Sequence, residues 1–281
     1  ASHALDLLVR TLLKPGDVVV VENPGYYNLF NLLKFHGVKM LGVPRTRHGP
    51  DTAALEAILL AHKPKFLFTN SMYHNPTGTS LSPSVAHRVL QLAEQHDFHI
   101  VEDDIYADFQ NGPSTRLATL DSLRRVIYLA SFSKTLSCSL RVGYLIAGPE
   151  LIRRLADVKM YTSIGSQRFA ECVVSTMLAN GSYRKLVQRL RQRLTRQMAA
   201  TLRVLGDNGW EVFAEPVGGM FVWARIGDYP FAELQAVATR LDVLLSPGSG
   251  FSPEGEESDW LRINIAYASD PRALAFFEAF G

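Results

Sequence analysis

The chain has 281 residues, enough for one large domain or two modest ones, and 47% hydrophobic with 20% charged residues is an ordinary globular balance. Lys plus Arg number 29 against 27 Asp plus Glu, and a net charge of +2 leaves no footprint for wholesale binding of nucleic acid or anionic membranes by this chain. No apolar run reaches the roughly 18 residues of a membrane span, and the two cysteines, Cys138 and Cys172, exclude a disulfide scaffold and suit a reducing, cytoplasmic compartment.

The chain begins with Ala1, directly in an amphipathic helical pattern over residues 3–13, with Leu5, Leu8, Val9 and Leu12 on one face. Lys14-Pro15-Gly16-Asp17 stops it. Val18-Val19-Val20-Val21 is short, apolar and β-branched, the pattern of a buried strand. A helix follows at 26–36, a strand at 38–43, a helix at 51–61 capped by Asp51, and a strand at 65–69. Ser82-Pro83 is a helix start, a cap followed by proline at the first position, and that helix runs to about His96. Strands are expected at 98–102, 125–130 and 142–147. Strands separated by helices predict an α/β fold with a mainly parallel sheet covered on both faces.

The last third mixes differently. Helices are expected at about 149–159, 168–180 and 183–206, strands near 210–214, 219–224 and 260–265, and helices at 230–240 and from 271. This predicts a large domain over 1–182 and a smaller α+β domain over 183–281. The helix at 183–206 carries Arg184, Lys185, Arg189, Arg191, Arg193, Arg196 and Arg203. Such a stripe reads either as a nucleic-acid surface or as a solvated helix face, and no aromatic interleaving or zinc spacing favours the first.

Four segments carry candidate chemistry. Ser131-Phe132-Ser133-Lys134, with Arg141 seven residues later, follows a strand. A lysine there, flanked by hydroxyls and an arginine, suits a Schiff base beside a phosphate site, though a surface lysine is the plain alternative. Asn75-Pro76-Thr77-Gly78 reads by itself as a turn. Glu102-Asp103-Asp104-Ile105-Tyr106 ends another strand, where carboxylates face a ligand crevice or simply form an acidic loop. Ala1-Ser2-His3 opens a helix whose free N–H groups favour an anion; an ordinary serine cap is the alternative.

In this order the four segments resemble the fold-type-I pyridoxal-phosphate enzymes of the aminotransferase class I and II family, over nearly the whole chain. The resemblance implies pyridoxal 5′-phosphate as cofactor. Lys134 matches the lysine that joins the cofactor and shuttles the substrate Cα proton, and Asp103 the carboxylate paired with the pyridine nitrogen. The three-residue step to Tyr106 selects Asp103 over its neighbour Asp104. Tyr106 and Asn75 match groups bonding the ring's 3′ oxygen. Tyr26, in Glu22-Asn23-Pro24-Gly25-Tyr26, matches the aromatic that stacks on the ring. Ser2, Ser131, Ser133 and Arg141 match the phosphate cup, completed by backbone N–H groups near Ser2 and His3. Arg262, in Trp260-Leu261-Arg262-Ile263-Asn264, matches the arginine gripping the substrate α-carboxylate, and Asn75 borders the same substrate site.

Pro216-Val217-Gly218-Gly219-Met220-Phe221-Val222-Trp223 resembles the strand that marks the small domain and reads as structural. His3 and Ile105 depart from the residues common at their positions, and neither removes a needed group. Cys138 reads as a small packed residue, and His74 as a further candidate for lining the site.

Complete members begin well ahead of the phosphate loop, so the resemblance implies that Ala1 falls within that loop and the chain is a piece. Residues 71–78, 92–98 and 131–136 look most like the C-terminal domains of MocR-type regulators in the GntR superfamily. That implies an effector-sensing domain for a small amino compound or vitamer, a homodimer, and DNA contact only through a winged helix-turn-helix outside this chain. The alternative is a free-standing aminotransferase moving an amino group between an amino acid and a 2-oxo acid.

Overall fold

The computed structural model describes residues 1–110, 114–227 and 229–280. In chain order come α1 (Ser2–Leu12), β1 (Val18–Asn23), α2 (Tyr27–Phe35), β2 (Lys39–Thr46), β3 (Gly49–Pro50), α3 (Thr52–Ala61) and β4 (Phe66–Thr69). Next are α4 (Pro83–Gln95), β5 (His99–Asp103), α5 (Leu117–Asp121), β6 (Val126–Ser131) and β7 (Gly143–Ile146). The strands form one seven-stranded sheet in the order β3-β2-β1-β4-β5-β6-β7. Its five middle strands are parallel and the two edge strands antiparallel. The expected parallel sheet is present.

Local signals explain most elements. The Asp51 side chain accepts from the N–H groups of Ala53 and Ala54, and Ser82 from Val85, so each caps its helix as its position predicts. Two elements had no such signal. β3 is two residues long, and α5 has no side-chain cap from its own N-cap residue, Arg116. Instead Glu102, from β5, accepts from the N–H groups of Leu117 and Ala118 across 2.9 and 2.8 Å.

Strand alternation sorts the core into two layers. Val19, Val21, Phe68, Val101 and Leu129 pack on one face with Leu5, Leu8 and Val9 of α1. Val20, Leu67 and Ile100 pack on the other with Leu55 of α3 and Val89 and Leu92 of α4. Each such side chain contributes about 1.5–3 kcal/mol by leaving water.

The remainder comprises α6 (Pro149–Ser163), α7 (Arg168–Ala179), α8 (Ser182–Asp207), β8 (Glu211–Val212), β9 (Phe221–Arg225), α9 (Phe231–Arg240), β10 (Leu261–Asn264) and α10 (Pro271–Glu278). A three-stranded antiparallel sheet runs β10-β9-β8. Its core also takes Met72, Tyr73 and Tyr106 from the segments that follow β4 and β5, so loops of the large sheet pack into the core of the small one. Gly218 and Gly219 make this fit possible. A Cβ on Gly219 would lie 2.6 Å from the Tyr73 Cβ, and one on Gly218 2.7 Å from the Tyr73 hydroxyl. Gly219 also holds a φ of +85°, which glycine adopts without strain. The structural reading of that segment therefore has a physical basis.

On α8, Tyr183, Val187, Leu194, Met198 and Leu205 face inward, while Arg184, Arg189, Arg193, Arg196 and Arg203 are exposed. Arg191 differs: its Nε donates to the Asp108 carbonyl across 2.7 Å and ties the helix to the loop after β5. Among the described residues no helix is long and apolar enough to cross a membrane.

Candidate functional site

Successive strands move outward in opposite directions from the β1–β4 pair: β2 lies to one side, β5 and β6 to the other. Such a reversal opens a crevice beyond the carboxyl ends of the strands. The segments after β1, β4, β5 and β6 all converge there, bringing residues 23–26, 70–75, 103–106 and 131–134 to one edge of the sheet.

Tyr26, Asn75, Asp103 and Tyr106 line one small cavity in this crevice, and His74 borders it. The two adjacent aspartates each leave Oδ1 buried without a partner, but only Asp103 lines the cavity, and only Asp104 has its second oxygen held by an arginine. Asp104 Oδ2 accepts from Arg116 Nε at 2.7 Å and from the Tyr128 hydroxyl at 3.0 Å. Asp103 Oδ1 is buried with no hydrogen-bond partner. Burial pushes the Asp103 carboxyl up to about 7. Tyr106 is buried and meets Phe221 edge to face at 5.6 Å. Burial, then the Asp103 carboxylate, raises its phenol pKa, so it stays a neutral donor. Tyr26 accepts on its hydroxyl from Asn28 Nδ2 at 3.1 Å.

Arg262 enters from β10. Its guanidinium carbon lies 4.4 Å from the Phe221 ring centre and 4.9 Å from that of Phe251, within reach of cation–π attraction. Nη1 donates to Asn75 Oδ1 at 2.8 Å, and Nε is buried without a partner. Lys134 follows β6 with an exposed side chain; its ammonium pKa is lowered by burial of part of the group and by the nearby Arg262 charge.

Of the residues expected to form an anion cup, Ser131 and Ser133 are paired with each other. Ser131 Oγ donates to Ser133 Oγ at 3.0 Å and accepts from the Ser133 N–H at 3.1 Å. Ala1, at the start of α1, approaches this turn closely: a Cβ on Gly143 would fall 3.0 Å from the Ala1 nitrogen. Ala1, His3 and Arg141 line one further cavity with Gly143. Arg141 has a left-handed φ of 53° and donates to the Cys138 carbonyl at 3.4 Å. Ser2 is exposed at the head of α1. The His3 ring sits 3.4 Å from Ser163 Oγ of α6. Cys138 is exposed, which corrects the reading of it as a packed residue: its short turn lies on the surface.

A buried network behind the site was not anticipated. Arg45 Nη1 bonds Glu22 Oε1 at 2.5 Å, and Arg45 Nε donates to Thr79 Oγ1 at 3.1 Å. Thr79 and Thr77 hydroxyls lie 2.8 Å apart, Thr77 Oγ1 lies 2.8 Å from His74 Nδ1, and His74 Nε2 lies 3.2 Å from Glu22 Oε2. Burial and then the Arg45 charge lower His74 to about 4, so it is neutral. Burial acts to raise Glu22, but Arg45 and His74 hold it at about 2. One proton arrangement then satisfies every member: Arg45 to Thr79 to Thr77 to His74 to Glu22, closed by Arg45. His74 thus borders the cavity with both ring nitrogens occupied. The only signals in the sequence were a glutamate ending a valine run and an arginine two residues beyond the strand expected at 38–43.

The chain belongs to the aminotransferase class I and II family, whose description matches residues 1–279. It is 31% identical over 278 residues to the uncharacterized HTH-type transcriptional regulator YisV of Bacillus subtilis, covering 96% of this chain and 56% of that protein. It is 34% identical over 276 residues to the 2-aminoadipate transaminase of Thermus thermophilus, covering 95% of this chain and 69% of that one. The chain therefore spans little more than half the length of its regulator relative. Among solved structures it is similar to LysN, the α-aminoadipate aminotransferase of Thermus thermophilus complexed with N-(5′-phosphopyridoxyl)-L-leucine. The TM-score is 0.91 at 29% identity, covering 99% of this chain and 75% of that one. The kynurenine aminotransferase of Pyrococcus horikoshii gives a TM-score of 0.92 at 27% identity, covering 99% and 71%.

Proposed function

We propose that this chain is a pyridoxal 5′-phosphate-binding aminotransferase-like domain, the effector-sensing C-terminal part of a MocR/GntR-type transcriptional regulator. The observation that carries the cofactor reading is the orphaned Asp103 Oδ1, buried beside Tyr106 and Asn75. A buried carboxylate oxygen without a donor is costly, and a protonated ring nitrogen supplies both the donor and the charge. The bound cofactor supplies an electron sink for charge developing at the substrate Cα.

The chain's own residues do the rest. Asp103 keeps the ring nitrogen protonated, Tyr106 and Asn75 donate to the ring's oxygen, and Tyr26 covers a ring face. Ser2, Ser131, Ser133 and Arg141 hold the phosphate together with the α1 backbone N–H groups, His3 contributing only through its backbone. Lys134 would hold the cofactor through its amine and would carry a proton to and from the substrate Cα; its lowered pKa suits an amine that must be neutral to act. Arg262, sandwiched by Phe221 and Phe251 with Nε unpartnered, presents a fork to an α-carboxylate.

In this reading residues 1–182 form the large domain and 183–281 the small one, the protein is cytoplasmic, and two copies pair as a homodimer. Resemblance to the named regulators supports sensing of a small amino compound or vitamer, with DNA contacts made elsewhere in the longer protein. The 34% identity to a transaminase favours a second reading, a free-standing aminotransferase moving an amino group between an amino acid and a 2-oxo acid.

Titration with pyridoxal phosphate tests the cofactor reading. An absorbance band in the visible or near ultraviolet is expected, and its loss in Lys134→Ala. Absence of any Lys134-dependent band removes the assignment. The coding sequence ahead of Ala1 separates the two readings: a winged-helix segment supports the regulator, a short arm beginning with Met the enzyme.

A further inference from the structure

We propose that Asn70 is a positioning residue that fixes Asp103 and Asn75 relative to one another. The proposal rests on the cofactor reading above, in which these two residues grip opposite sides of one aromatic ring. They lie on different elements, Asn75 on the loop after β4 and Asp103 at the end of β5. The ladder between those strands ends at the Thr69–Glu102 pair. Beyond it, no backbone hydrogen bond among the described residues joins the 70–80 loop to residues 103–106.

The Asn70 amide supplies the missing rung. Its Nδ2 donates to the Asp103 carbonyl at 2.5 Å, and its Oδ1 accepts from the Asn75 N–H at 2.9 Å. One planar group thus ties the loop after β4 to the end of β5, with a donor on one side and an acceptor on the other. Only an amide of this length has that pair: aspartate lacks the donor, and alanine lacks both. The Asn70 backbone is itself anchored. Its N–H donates to Glu22 Oε2 at 3.0 Å, and its carbonyl accepts from Arg45 Nη1 at 3.2 Å. The buried Glu22–Arg45 pair is therefore the foundation, Asn70 the bridge, and the two ring-gripping residues the load. Through Asn75 Oδ1 the bridge also reaches Arg262.

The test uses pyridoxal-phosphate-loaded protein and reads the pH midpoint of the bound cofactor's absorbance band, together with cofactor affinity. Loosening Asn75 weakens donation to the ring oxygen, so Asn70→Ala is expected to raise the midpoint by about one unit and weaken affinity about tenfold. Asn70→Asp keeps the acceptor for Asn75 and loses the donor to the Asp103 carbonyl, so it is expected to weaken affinity with a smaller change of midpoint. It decides the matter if the alanine variant does not fold. Asp121→Asn is the structural control. Asp121 Oδ2 accepts from the Arg125 and Val126 N–H groups at the start of β6, the opposite end of the sheet. It is expected to lower the melting temperature without moving the midpoint. An unchanged midpoint and affinity in a folded Asn70 variant overturns the proposal, as does an equal shift in the control. Wild-type protein without a Lys134-dependent band overturns the cofactor reading and the proposal with it; a normal wild type with unaltered Asn70 variants overturns the proposal alone.

Discussion

Asp103 and Asp104 are neighbours in the chain and differ in their surroundings. Each keeps its Oδ1 buried and unbonded, but Asp104 has its Oδ2 held by Arg116 and Tyr128, whereas Asp103 lines the cavity of the site. That difference has a pH signature in the cofactor-free chain. The folded Asp103 carboxyl titrates near 7 against an ordinary value of 3.8, so the folded state holds the extra proton between those values. Its contribution to stability is full below the ordinary value and is lost as pH rises through 7. Melting temperatures of cofactor-free protein at about pH 5 and about pH 8 are expected to fall more for wild type than for Asp103→Asn. Equal falls would show that this carboxyl is not what titrates.

At the scale of elements, the 70–80 loop is held from two sides. Glu22 at the end of β1 and Arg45 on β2 clamp its start, and Tyr73 is seated on Gly218 and Gly219 from the second sheet. Arg45→Met removes one half of a buried pair and leaves the Glu22 carboxylate without its strongest partner, at a cost of about 3–5 kcal/mol. Urea unfolding measures this, and Glu22→Gln added to Arg45→Met is expected to recover part of the loss. If Arg45→Met is as stable as wild type, the pair is not structural. The elements that carry the site were legible in the sequence because each ends an apolar strand with an uncommon cluster: Tyr26 after the valine run, Asn75 in its turn, Asp103 and Tyr106 three apart, Lys134 after Ser133. The clamp was not. Charges in a strand read as solvent-facing, and only the fold reveals that Arg45 and Glu22 meet inside. α5 escaped notice for a related reason: its cap, Glu102, comes from a different strand, and no local pattern announces a cap supplied over that distance. Cys138 misled in the reverse direction, since its place between Lys134 and Arg141 says nothing about which side of the turn faces out.

For the whole molecule, the turn from α6 to α7 exposes three large apolar side chains among polar ones. Tyr161, Ile164 and Phe169 are each more than 80% exposed. Large aromatic and aliphatic groups left in water at this density mark an interaction surface, which supports the proposed pairing of two copies. Tyr161→Asp combined with Phe169→Asp is expected to convert a dimer to monomers in sedimentation velocity while preserving the fold; an unaltered sedimentation coefficient would place the interface elsewhere. The three tryptophans, Trp210, Trp223 and Trp260, all belong to the C-terminal third of the chain. Trp223 and Trp260 are stacked at 6.2 Å, and Trp223 meets Phe251, the ring beneath Arg262, at 5.5 Å. The molecule therefore carries its own optical label on one side only. If Arg262 receives a carboxylate as proposed, intrinsic fluorescence is expected to change on titration with one, because Trp223 touches the ring that flanks Arg262.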